Sequence, residues 1–163
     1  MRVGGAPGSR WLEHAPRARS GLRLHHRRRG HECDVGSRAA FLRVADDFGD
    51  RTGRIDAIVN NAMLLHYCPV DQVEPERLDA MLDVGIKALF WSAQALVAHY
   101  DPERGASLIN MASPVAFRGY PGTSAHSAVK GAVVAFTRVM AAELGPTSSQ
   151  TQEHLMIPPN QVA

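Results

Sequence analysis

Three residues in the second half of the chain have the types and spacing for proton chemistry: Ser113, His126 and Lys130. His126 stands four positions before Lys130 in TSAHSAVKGAVVAF (123–136), and residues four apart on a helix share a face. An imidazole and an ammonium then point into the same space. Both can carry positive charge, so neither stabilises the other, and the lysine there needs a different job. A free imidazole titrates near 6.5, and a neighbouring ammonium lowers that value and keeps the ring neutral. Ser113 ends an apolar run and Lys130 lies on the next helical pattern, so a hydroxyl and an ammonium can face one cleft. Two further polar groups end apolar runs: Asp34 in Cys33-Asp34-Val35, and the asparagines of Asn60-Asn61-Ala62. Asp34 can hydrogen-bond a heteroaromatic amine. The asparagines can hold a ligand or lock adjoining strands, and each of these residues also suits a turn.

The elements that must position these groups alternate. SRAAFLRVADDFGD (37–50) has Ala40, Phe41, Val44 and Phe48 at helical spacing. RIDAIVNNA (54–62) reads as a short buried parallel strand. Residues 74–100 open with Glu74-Pro75-Glu76, an acidic, proline-bearing helix start, and continue with Leu78, Met81, Leu82, Leu89, Phe90, Ala93 and Leu96. ASLINMAS (106–113) is a second strand, and 124–145 a long helix stopped by Gly145-Pro146. Helix, strand, helix, strand, helix predicts an α/β domain with a parallel sheet. The predicted organisation is a segment over 1–32 without periodicity, a core over 33–146, and an irregular tail over 147–163.

Composition narrows the function classes. The chain has 163 residues, 45% hydrophobic and 21% charged, which suits one globular domain. No continuous apolar run approaches the roughly 20 residues of a membrane span, and the N-terminus has arginines without an apolar signal core. Two cysteines, Cys33 and Cys68, do not make a disulfide framework, so a reducing cytoplasm is the expected compartment. Eight arginines against Glu13 make residues 1–31 basic. A nucleic-acid arm is disfavoured, because Trp11 is the sole aromatic residue interleaved there. His25, His26, His31 and Cys33 lie close in sequence, but zinc needs a fixed scaffold of four ligands, and no metal site is expected.

Over residues 33–146 these motifs, in this order, resemble the short-chain dehydrogenase/reductase family, whose members use NAD or NADP on a Rossmann-type sheet. Cys33-Asp34-Val35 is similar to the family's strand end whose aspartate contacts adenine, and Asn60-Asn61-Ala62 to its NNAG motif, with Met63 in place of glycine. In LINMASPVAFRGYPGTSAHSAVKGAVVAFTRVMAAELGP, Ser113 matches the substrate-orienting serine and Lys130 the lysine of the YxxxK pair. His126 occupies the tyrosine position, thirteen residues after Ser113, which is the spacing the family favours. Val3-Gly4-Gly5-Ala6-Pro7-Gly8-Ser9-Arg10 is similar to the phosphate loop, keeping Gly4 and Gly8 but with Arg10 at the third glycine. The resemblance implies an α/β fold, a Rossmann-like parallel sheet with flanking helices, whose first strands and last strand are missing or degenerate.

It further implies an NAD(P)-dependent oxidoreductase acting on an alcohol or carbonyl group. Ser113, His126 and Lys130 would be catalytic, and Gly4, Gly8, Asp34, Val35, Asn60, Ala62 and Lys130 would bind NAD or NADP. In the family the lysine holds the nicotinamide ribose and favours the phenolate, which exchanges the proton of the reacting oxygen. Here the phenol is absent from 126, and Gly85 stands where the family has an asparagine that anchors a water. Impaired or lost catalysis and weak or lost cofactor binding are therefore expected. The alternative is a non-catalytic protein that keeps the family's association surface. That surface is formed by helices 74–100 and 124–145, where Ala128, Gly131, Ala132 and Ala135 permit close packing between copies.

Overall fold

The computed structural model describes residues 30–144 and the strand at 150–154. Gly4, Gly8 and nearly all of the N-terminal segment, together with most of the tail, lie outside the described residues.

Helix α1 runs over Arg38–Thr52. Ser37 caps it by accepting the Ala40 N–H at 3.4 Å, and Gly53 ends it at φ 80°, a conformation a side chain would strain. Strand β1 covers Ala57–Asn60, shorter than the sequence predicts. Helix α2, Pro75–Leu82, uses Pro75 in its first turn, where the missing N–H has no partner to lose. A five-residue π-helical segment, Asp83–Lys87, interrupts the predicted continuous helix before α3, Ala88–His99. Strand β2 is Ser107–Met111, α4 is Ser124–Leu144, and β3 is Gln150–His154.

The sheet has the order β1-β2-β3, all parallel, with Asn60 opposite Asn110 and Asn110 opposite Glu153. The α/β class and parallel sheet are as the sequence predicts. Three further details differ. Strand β3 forms within the stretch read as an irregular tail. QTQEH has no apolar alternation, so pairing with β2 decides its conformation rather than intrinsic preference. Cys33-Asp34-Val35 is not a strand end: residues 30–34 are irregular and 35–36 form a turn. Among the described residues that segment pairs with no strand, and a parallel strand exists only through its neighbours. Finally, β1 is half-buried rather than buried, with Val59 at 56% exposure on the edge of the described sheet.

The core gathers Ala45 of α1, Ala93, Ala95 and Leu96 of α3, Ile55, Ala106, and Leu108 of β2. Phe41, Ile58, Tyr100 and Phe136 pack around it. Leu96 and Leu108 are both 1% exposed, and burying each stabilises the fold by about 2 kcal/mol. The span Pro75–His99 is long and apolar enough in composition to cross a membrane, but Ala88, Leu89, Ala93, Ala95 and Leu96 are buried within this fold. It is a core helix of the domain.

Candidate active site

A buried polar chain joins the strand ends to the helices. Asn60 Nδ2 donates to Ser92 Oγ and to Asn110 Oδ1, each at 2.7 Å. Ser92 Oγ in turn donates to Leu89 O at 2.8 Å. Asn110 Nδ2 donates to Thr137 Oγ1 at 2.9 Å, and Thr137 Oγ1 to Val133 O at 2.7 Å. Five polar side-chain atoms thus connect β1, β2, α3 and α4. Of the two roles open to Asn60, locking the strands is the one its amide performs. Ser92, Asn110 and Thr137 were not singled out by sequence reasoning; their signal is a small polar residue in an otherwise apolar run.

Just beyond these strand ends lies a small cleft of about 80 Å³, below the range of complete small-molecule sites. Its walls include Val35, Asn60, Asn61, Ala62, Gly85 and Lys130. Four of the residues assigned from sequence to cofactor binding other than the glycines therefore meet here: Val35, Asn60, Ala62 and Lys130. Asp34 is not among the lining residues. Its Oδ1 accepts the Gly36 N–H at 3.0 Å and shapes the turn before α1.

Lys130 is 8% exposed, and its ammonium donates to Met111 O at the end of β2. Burial pushes its pKa below the usual lysine value. His126, one turn earlier on α4, is 5% exposed, and its Nδ1 has no hydrogen-bond partner. Its pKa is lowered chiefly by burial and secondarily by the Lys130 charge. The neutral ring follows as predicted, but desolvation outweighs the ammonium. His126 is not among the residues that line the cleft. Ser113 follows β2 and opens the 3₁₀ turn Pro114–Ala116, where its Oγ accepts the Val115 N–H at 3.5 Å. That turn packs against α4, the helix that carries His126 and Lys130.

Gly85 occupies the middle of the π segment, and a Cβ there would overlap the Val129 side chain. The position assigned to the family's asparagine is therefore closed by packing, not merely vacated. An asparagine cannot be put back without moving Val129.

Fold and site together define a class. The chain matches the short chain dehydrogenase family model over residues 13–152. It belongs to that family. It is 35% identical over 115 residues to L-2,3-butanediol dehydrogenase of Corynebacterium glutamicum, covering 69% of this chain and 44% of that protein. It is 32% identical over 113 residues to glucose and ribitol dehydrogenase homolog 2 of Arabidopsis thaliana, covering 69% and 38% respectively. A short chain dehydrogenase from Burkholderia cenocepacia, solved in complex with NADP, superposes with a TM-score of 0.70 at 26% identity. That match covers 75% of this chain and 49% of the solved one. The chain spans under half the length of the curated relatives it matches.

Among the described residues, the lining is of a kind that meets part of a nicotinamide nucleotide. The cleft offers one ammonium at a strand end, the polar Asn61 beside it, and the apolar wall of Val35 and Val84. An ammonium suits ribose hydroxyls, and an apolar wall suits a flat heterocycle.

Proposed function

We propose that this chain is an NAD(P)-dependent oxidoreductase of the alcohol/carbonyl class whose turnover is strongly reduced. The observation that carries this reading is Lys130, a buried ammonium on α4 facing the strand-end cleft beside Asn60, Asn61 and Ala62. Lys130 and the Asn61–Ala62 segment would hold the nucleotide, and Ser113 would orient the substrate oxygen. The bound nicotinamide supplies hydride chemistry. Reduced turnover follows from His126, which puts a buried imidazole where a phenol would reach the cleft.

Nicotinamide fluorescence tests the reading directly. NADH or NADPH should bind saturably, and Lys130→Ala should weaken binding at least about tenfold, or 1.4 kcal/mol. Absence of saturable binding to the intact chain overturns it. His126→Tyr should raise kcat by about 100-fold, the scale of a restored general acid–base. A variant that folds, binds cofactor and gains nothing shows that the defect lies elsewhere.

A non-catalytic, associating role has its own support in an apolar helix face. Phe90 of α3 is 48% exposed and meets Phe136 of α4 edge to face, with centroids 4.9 Å apart. Val97 and Val139, on the same two helices, are half exposed as well, and Gly131 has open space where a Cβ would stand. A homo-oligomer through these helices predicts a dimer or larger species in sedimentation, dissociated by Phe90→Glu.

A further inference from the structure

Tyr67 has no part in the site as read from the sequence. It lies on the loop after β1, and its ring meets the His126 imidazole edge to face, with centroids 5.8 Å apart and planes at 83°. The loop is tied in place, because Cys68 N–H donates to Gly122 O at 3.0 Å, in the turn before α4. The two rings differ sharply in exposure: Tyr67 is 57% exposed and His126 is 5%. An aromatic ring that leaves this much surface in water while gripping a buried ring is a cover. Beneath it, Nδ1 of His126 is buried without a partner. Such an atom costs about 1–3 kcal/mol, so something must hold the ring in place.

We propose that Tyr67 is a positioning residue for His126, its ring holding the imidazole in one orientation and closing it off from water. The proposal rests on the oxidoreductase reading and deepens it, since Tyr67 is then what keeps the histidine at the tyrosine position sealed and out of the cleft. The titratable and charged groups on the elements packed around the imidazole are Lys130, Arg138 and Glu143 on α4 itself, His66, Tyr67 and Cys68 on the loop, Glu76, Arg77 and Asp79 on α2, Asp83 and Lys87 of the π segment, His99 on α3, and Glu153 and His154 on β3. Asp83 and Lys87 are paired with one another at 2.5 Å. Lys130 is the group whose charge acts on the imidazole.

Imidazole titration by NMR on the full chain tests the pair without requiring activity. Tyr67→Ala should move the His126 midpoint upward, toward the 6.5 of a free imidazole, and Tyr67→Phe should leave it in place. An unchanged His126 midpoint in Tyr67→Ala overturns the proposal. Should that variant fail to fold, Tyr67→Leu fills the volume but frees the imidazole to turn. His126 should then react several-fold faster with diethyl pyrocarbonate, and an unchanged rate is equally fatal. If the chain binds no nicotinamide nucleotide, the oxidoreductase reading falls, while the titration still decides whether Tyr67 governs His126.

Discussion

Two polar clusters sit at the carboxyl ends of β1 and β2, and they are built on opposite principles. In the first, Asn60, Ser92, Asn110 and Thr137 pass hydrogen bonds from strand to helix within a buried interior. In the second, His126 is equally buried but leaves Nδ1 unpartnered beneath an exposed Tyr67. The closed cluster exchanges solvent bonds for protein bonds and rigidifies the frame. The open one leaves a buried polar atom unsatisfied, at an energetic cost. Lys130 connects the two, since it lies on the same helix as Thr137 and His126 and is anchored to the end of β2. The difference separates a scaffold from a site within a few residues of each other.

The largest expected effect tests the closed cluster. Asn110→Ala removes the acceptor of Asn60 and the donor to Thr137, and should cost about 3 kcal/mol in denaturant melts. A loss below about 1 kcal/mol would mean that the network is not the scaffold described here. Next in size is Gly85→Asn, which brings a side chain against Val129 and should destabilise by about 2 kcal/mol. The double variant with Val129→Ala should recover much of that loss, because the overlapping atoms are gone. If Gly85→Asn alone is neutral, the π segment is more adaptable than its packing implies.

The smallest effect concerns the open cluster and pH. Folding lowers the His126 pKa from 6.5, so the unfolded chain binds its proton more readily. The stability present above the unfolded value of 6.5 is lost as pH falls through the lower native value. His126→Gln should flatten this part of the stability profile, by under about 1 kcal/mol. A wild-type profile that rises on acidification would contradict a buried neutral ring. The stability change caused by Thr137→Val should not vary with pH, since nothing in that cluster titrates.

The residue pattern was enough to order the elements. The apolar spacing of residues 37–50 and 124–145 placed α1 and α4 to within a few residues, because a long amphipathic period leaves little choice of conformation. The placing of Lys130 at the strand-end cleft was legible for a related reason, as its spacing from the strand end survives any shift of an element boundary, whereas Ser113 is not among the residues that line the cleft. The π segment was not legible, because Asp83–Lys87 keeps a helical pattern and its extra residue is decided by packing around Gly85 and Val129. Nor was β3, whose polar QTQEH becomes a strand through the hydrogen bonds that β2 offers.

His126 shows where the boundary falls. Its type, and its place one turn before Lys130, were determined by sequence alone, and with them the loss of a phenol from that position. Only the tertiary structure decided that the ring is sealed from water, that burial outweighs the lysine in holding it neutral, and that Tyr67 is its neighbour. Tyr67 and His126 are far apart along the chain. Periodicity relates residues within one element, whereas this contact arises from a loop after β1 folding toward the start of α4, with a backbone hydrogen bond from Cys68 to Gly122 in the turn before that helix.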